Sequence, residues 1–145
     1  MTSMYSQYFH ECEVRPEFRK EFISLWPGWL GPENLHKLEA VTEVEWSRFN
    51  NLLTQIVERH DVFIADLVNE TLRKVRHARE LMQHYDESQN KSHSAFTKLV
   101  IPGLSCALTE EWDFTYILWY KDRAAVAALA PLISRAQLHH FCDDT

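Results

Sequence analysis

Eight histidines in 145 residues are many for this length, so metal chemistry is the first to test. Glu70, His77, Glu80 and His84 stand seven, three and four residues apart. On a helix that spacing puts all four on one face, and imidazole with carboxylate suits zinc or a similar metal. The same geometry turns them away from a core. With Ile64 as zero and about 100° of rotation per residue, Leu67, Val68, Val75 and Met82 fall within about 60°, and the four candidates fall between about 160° and 240°. A metal there would have no cavity and nothing behind its ligands to orient them. Arg73 falls among the same residues and would oppose a cation. The face therefore reads as solvated pairs spaced four apart.

A second set of ligand types lies at the C-terminus, His139-His140-Phe141-Cys142-Asp143-Asp144. It has no recognised metal spacing. His10-Glu11-Cys12-Glu13 would complement it if the termini met; the plainer reading is two polar chain ends. The cysteines Cys12, Cys106 and Cys142 are too few and too far apart for a disulfide scaffold, and there is no Cys-x-x-Cys. They read as reduced thiols. A cysteine nucleophile needs a histidine beside it, and Cys106 falls in a predicted buried strand that disfavours a thiolate. Glu110, Glu111 and Asp113 cluster at a predicted hairpin turn, where acid–base chemistry is conceivable; carboxylates are common in such turns without a role.

Only three glycines are present, Gly28, Gly31 and Gly103. No phosphate loop, dinucleotide fingerprint or nucleophile elbow can be written with them. Tryptophan, by contrast, occurs five times, at Trp26, Trp29, Trp46, Trp112 and Trp119. Trp26 and Trp29 flank Pro27-Gly28 in a rigid loop. Trp112 sits among Glu110, Glu111 and Asp113 at the hairpin tip. Tryptophan is enriched at interface hot spots, and neighbouring acids draw a basic partner. The candidate partner-binding residues are therefore Trp26, Trp29, Glu110, Glu111, Trp112 and Asp113. The basic cluster Arg73, Lys74, Arg76 and Arg79 would attract phosphate or an acidic partner, but reads as a helix flank balanced by nearby acids.

The elements that must position these residues suggest one α+β domain over residues 1–145. A helical part spans about 1–87, and a ββαβ-like part about 97–142. Phe18, Phe22 and Leu25 recur at helical spacing after Pro16, predicting a short helix. Prolines and glycines over residues 26–32 mark a loop, and a short helix is expected at Glu33–Ala40. Thr42 and Glu45 form a capping-box pattern. An apolar stripe from Trp46 through Ile56, Ile64 and Val75 to Tyr85 then keeps nearly one phase across His60-Asp61. It predicts one long or kinked helix over about 42–86. Compactness argues the other way, because some 40 helical residues would run about 60 Å. Residues 86–95 are polar and read as a loop.

Leu99-Val100-Ile101, Leu104–Leu108 and Phe114–Tyr120 read as strands, the last apolar on both faces and so central in its sheet. Asp122 caps a helix reaching about Ala136, which Pro131 should kink or divide. Leu138–Phe141 returns as a final strand. The expected sheet is small and mainly antiparallel, with the C-terminal helix packed on it.

Fifteen Lys and Arg stand against 21 Asp and Glu, a net charge of -6. That balance disfavours nucleic acid. No apolar run reaches the 18 or so residues of a membrane span. The polar start Met1–Gln7 lacks the layout of a secretory signal, which points to the cytoplasm. The composition and missing motifs favour a non-catalytic protein-binding protein without a cofactor, such as an immunity or antitoxin-type inhibitor of a basic toxin or nuclease. The alternative is a small metal-dependent enzyme gathering His, Asp and Glu from separate segments. A homodimer through the long helix is a third reading.

Overall fold

The computed structural model describes residues 4–82 and 96–142. The order of elements is α1 (Met4–Tyr8), β1 (Phe9–His10), β2 (Glu13–Val14), β3 (Arg19–Ser24), α2 (Glu43–Arg59), β4 (Phe63–Asp66), β5 (Thr71–Lys74), β6 (Lys98–Ile101), β7 (Cys106–Glu111), β8 (Thr115–Tyr120), α3 (Arg123–Arg135) and β9 (His139–Phe141). Short 3-10 turns cover Pro32–Leu38, Ala78–Leu81 and Pro102–Leu104. The class is α+β. The sheet is larger than expected: seven strands in the order β5-β4-β6-β7-β8-β3-β9, every pairing antiparallel. β1 and β2 form a separate two-stranded ribbon. Among the described residues no helix is long and apolar enough to cross a membrane.

Two local signals set the helix starts. Thr42 Oγ1 accepts from the Glu45 amide at 3.1 Å, and the Glu45 carboxylate accepts from the Thr42 amide at 3.1 Å. This reciprocal cap satisfies donors that the first turn leaves unpaired. Asp122 caps α3 by accepting from the Ala124 amide at 2.8 Å. Pro131 neither divides nor ends that helix.

The long helix over 42–86 is not formed. α2 stops at Arg59, and His60 is already extended, with φ -139° and ψ 152°. Two strands follow. Phe63 and Ile64 of β4 pair with Val100 and Leu99 of β6. Between β4 and β5, Asp66 Oδ1 accepts from the amides of Val68 and Asn69 at 3.0 and 3.1 Å. That side-chain turn competes directly with helical hydrogen bonding, and Glu70 completes the reversal in left-handed geometry. The apolar residues of this stretch match the helical period, but Phe63 and Ile64 are taken up in pairing against β6, and Val68 is left exposed in the turn.

The helix expected from Pro16 is also corrected. Residues Arg19–Ser24 form β3, in register with Tyr120 through Thr115 of β8. Phe22 and Ile23 are adjacent in sequence and so point to opposite faces. Thus the first 87 residues, read as helical, contain β1–β5. β8 lies inside the sheet between β7 and β3, as its two apolar faces predict.

One face of the sheet meets α2 and α3. Leu99, Ile101, Leu108, Tyr116, Leu118 and Ile23 pack there with Phe49, Leu52, Leu53, Ile56, Leu129 and Ile133. Leu108, Leu118 and Leu129 have no solvent exposure, so truncating any of them to alanine should cost about 2–5 kcal/mol. A second, smaller cluster covers one end of the opposite face. Tyr5, Tyr8, Phe9 and Phe18 close over Val100, Ala107 and Trp119. The rest of that face, toward the β7–β8 hairpin, carries the groove described next.

Candidate functional site

Phe22, Ser24, Thr115 and Ile117 form the floor of a groove of about 410 Å3. Register explains the set, since Phe22 pairs with Ile117 and Ser24 with Thr115. One wall is the loop after β3. Trp26, Trp29, Leu30 and Leu35 contribute to it. Gly31 turns this loop at φ 72°, and a Cβ there would come within 3.1 Å of the Glu33 carboxylate. Asn34 Nδ2 then donates to the Leu30 carbonyl at 3.1 Å, fastening the 3-10 turn to the loop. The volume lies within the usual range for ligand pockets.

The other wall is the hairpin tip, Glu111, Trp112 and Asp113. Glu111 pairs with Thr115 and leaves a three-residue loop. Asp113 and Phe114 both take left-handed geometry, at φ 60° and 55°. This is uncommon for phenylalanine and costs backbone energy. Packing of the Phe114 ring against Trp46 and Trp26, at centroid separations of 6.0 and 6.5 Å, opposes that cost. The turn leaves Trp112 56% exposed, and Trp29 is 57% exposed. Glu111 is held by a short relay: Trp119 Nε1 donates to Thr109 Oγ1 at 2.9 Å, and Thr109 Oγ1 donates to Glu111 Oε2 at 2.9 Å. Among the described residues that line the groove there is no Lys, Arg or His.

Five of the six residues singled out in the sequence thus line one groove: Trp26, Trp29, Glu111, Trp112 and Asp113. Glu110 differs. It is buried, with its Oε1 accepting from the Thr97 amide at 2.9 Å and its own amide donating to the Thr97 carbonyl at 2.8 Å. Its first task is to tie residue 97 to β7, and it faces a second cavity behind the hairpin. Trp46 is buried on α2, and Trp119 lies under the Lys20 ammonium, 5.1 Å from its ring.

The other candidates separate. Glu80 accepts from Arg73 at 2.7 Å and from the amides of Arg76 and His77 at 2.6 and 2.9 Å. The His77 amide, then the Arg73 side chain and the Arg76 amide, hold its carboxyl down to about 2. Glu70 lies in the β4–β5 turn, not on a helix face with them. Lys74 faces Asp61 at 3.6 Å, so the basic cluster has acids beside it. Among the described residues no three His, Cys, Asp or Glu converge to hold a metal ion. Cys106 is buried, and burial pushes its thiol up to about 12, which leaves it unreactive. His84, Asp143, Asp144 and the loop 86–95 lie outside the described residues.

One cluster is not legible in the sequence. Glu21 is buried on β3, facing the helices. His140 Nδ1 lies 2.7 Å from its Oε2, Cys142 Sγ donates to its Oε1 at 3.0 Å, and Arg123 Nη1 lies 3.5 Å from Oε1. Burial pushes the Glu21 carboxyl up, but the hydrogen bonds from His140 and Cys142 and the charges of His140 and Arg123 hold it below its usual value. The thiol faces carboxylate rather than imidazole, which is not the pairing that activates a nucleophile. The cluster fastens β9 to the sheet. Its only sequence signal is a glutamate in an inward strand position of Arg19-Lys20-Glu21-Phe22-Ile23, visible once those residues are read with period two.

Comparison with known proteins finds no matching family model, no matching curated protein and no matching solved structure.

Proposed function

We propose that this chain is a cytoplasmic, non-catalytic binding protein. Its groove takes a basic, apolar-rich segment of a protein partner. The observation that carries the reading is the pairing of Trp29 and Trp112, each more than half exposed, with Glu111 and Asp113 on a groove whose described lining residues include no cation. Large exposed aromatic rings beside an apolar floor supply buried area, and the carboxylates select lysine or arginine. A guanidinium or ammonium would also gain from stacking on the indole faces. An inhibitor that masks the basic surface of a toxin or nuclease is the specific form of this reading.

The test is purification of the chain from its native host at low salt, beside the variants Trp112→Ala and Glu111→Gln. A stoichiometric partner of net positive charge, lost in Trp112→Ala and weakened in Glu111→Gln, is expected. Recovery of the same partner at equal yield with both variants would refute the reading.

A further inference from the structure

Indole dominates the groove. Trp26, Trp29 and Trp112 line it, with Phe22 on the floor. Trp29 and Trp112 stand on opposite walls, and each has more than half of its surface exposed. Both rings are braced from within the fold. Phe22 and Phe141 meet Trp29 edge to face at 4.7 and 5.0 Å, and Phe96 meets Trp112 edge to face at 4.7 Å. Rings held in this way cost less ordering when a ligand arrives. Glu111 and Asp113 add negative charge beside them.

That charge comes with few hydrogen bonds to spare. Several acceptors around the groove are already engaged. Ser24 Oγ accepts from the Trp26 amide at 3.4 Å. The Leu30 and Gly31 carbonyls accept from the side chain and the amide of Asn34, each at 3.1 Å. Glu111 Oε2 takes the Thr109 hydroxyl at 2.9 Å. Arginine brings five N–H donors and lysine three, and a donor that enters without an acceptor bears its desolvation cost. A fully methylated ammonium keeps the charge, carries no N–H, and buries its methyl groups against aromatic surface. Aromatic rings around such a cation are an established mode of recognition. We infer that the groove reads a trimethylated lysine in the basic, apolar-rich segment of its protein partner. The inference rests on the groove being the partner-binding surface and adds which cation it selects.

Calorimetric titration with three peptides tests this. One is acetyl-Leu-Lys-Leu-amide, the second is the same peptide trimethylated at lysine, and the third is a neutral form with carbon in place of the quaternary nitrogen. The trimethylated peptide should bind about five- to tenfold tighter than the unmodified one and about tenfold tighter than the neutral one. Trp112→Ala should remove most of that preference. Asp113→Asn suits the left-handed turn and should weaken both charged peptides about two- to fivefold, leaving the neutral one unchanged. Should Trp112→Ala fail to fold, the peptide order and Asp113→Asn decide. Equal binding of the three peptides, a preference that survives Trp112→Ala, or no binding of the trimethylated peptide at millimolar concentration would overturn the inference. A basic partner recovered from the host through Trp112, but carrying no methylated lysine by mass spectrometry, would also overturn it and leave the partner-binding reading standing.

Discussion

Trp29 meets Phe141 edge to face, with ring centroids 5.0 Å apart, and so joins the loop after β3 to the last strand. Phe22 completes the trio, 4.7 Å from Trp29 and 5.7 Å from Phe141. β9 is three residues long and, among the described residues, pairs only with β3. One wall of the groove therefore rests on the docking of the chain's end. Phe141→Ala should remove both ring contacts, each worth about 0.5–1.5 kcal/mol beyond area burial. A loss of about 2 kcal/mol in urea unfolding is expected, with a red shift of tryptophan emission as Trp29 gains solvent. Stability within about 0.5 kcal/mol of the parent, the usual effect of a surface change, would disprove the anchoring.

Glu21 makes the same strand sensitive to acid. Its carboxyl titrates below its ordinary value of 4.5 in the folded chain, because His140, Cys142 and Arg123 outweigh its burial. A group lowered on folding adds stability that is full above its unfolded value and disappears as pH falls through the folded one. Protection of the amides at residues 139–141, taken relative to their intrinsic exchange rate at each pH, should therefore fall as pH drops below about 4.5, ahead of global unfolding. In Glu21→Gln this acid dependence should flatten, with a loss at neutral pH on the order of 2 kcal/mol from the broken buried network. An unchanged exchange profile in Glu21→Gln would show that the carboxylate does not hold β9.

The α2 cap can be tested alone. Thr42→Ala removes the acceptor for the Glu45 amide and should cost about 1 kcal/mol. Thr42→Ser keeps that oxygen and should recover most of the loss. Equal melting temperatures for the parent and Thr42→Ala would show that the capping box adds nothing.

Thiol labelling distinguishes the three cysteines. Cys12 and Cys142 are exposed, and Cys106 is buried with its thiol pushed up to about 12. Iodoacetamide at neutral pH should add two labels to the native chain and a third only after denaturation. Rapid native labelling at Cys106 would contradict the core packing of β7.

What the sequence makes legible follows the range of the interaction. The Thr42–Glu45 box, the Asp122 cap and the β7–β8 hairpin are decided by residues within a few positions, and each can be read directly. The stretch after His60 cannot. Its apolar residues fit a helical stripe, yet β4 is fixed by pairing with β6, more than thirty residues later in the chain. Phe18, Phe22 and Leu25 mislead for the same reason, because β3 is decided by β8. The groove shares both properties. Trp26, Trp29 and Trp112 stand out locally as aromatics in turns. That they surround one space depends on β3 lying beside β8, a distant pairing. Glu21 and its partners at 123, 140 and 142 are brought together entirely by that pairing and by β9.

The groove is tested most directly by placing a photo-crosslinking amino acid at position 112 and, in a second protein, at position 68. Val68 is 92% exposed in the β4–β5 turn, at the other end of the sheet order from β9. Irradiation in the native host should join position 112 to one basic protein, through a lysine- or arginine-containing segment, and leave position 68 unlinked. Replacing Glu111 and Asp113 by Gln and Asn should reduce that yield. Equal crosslinking at the two positions, or capture at position 112 that is indifferent to the loss of both carboxylates, would contradict the assignment of the groove.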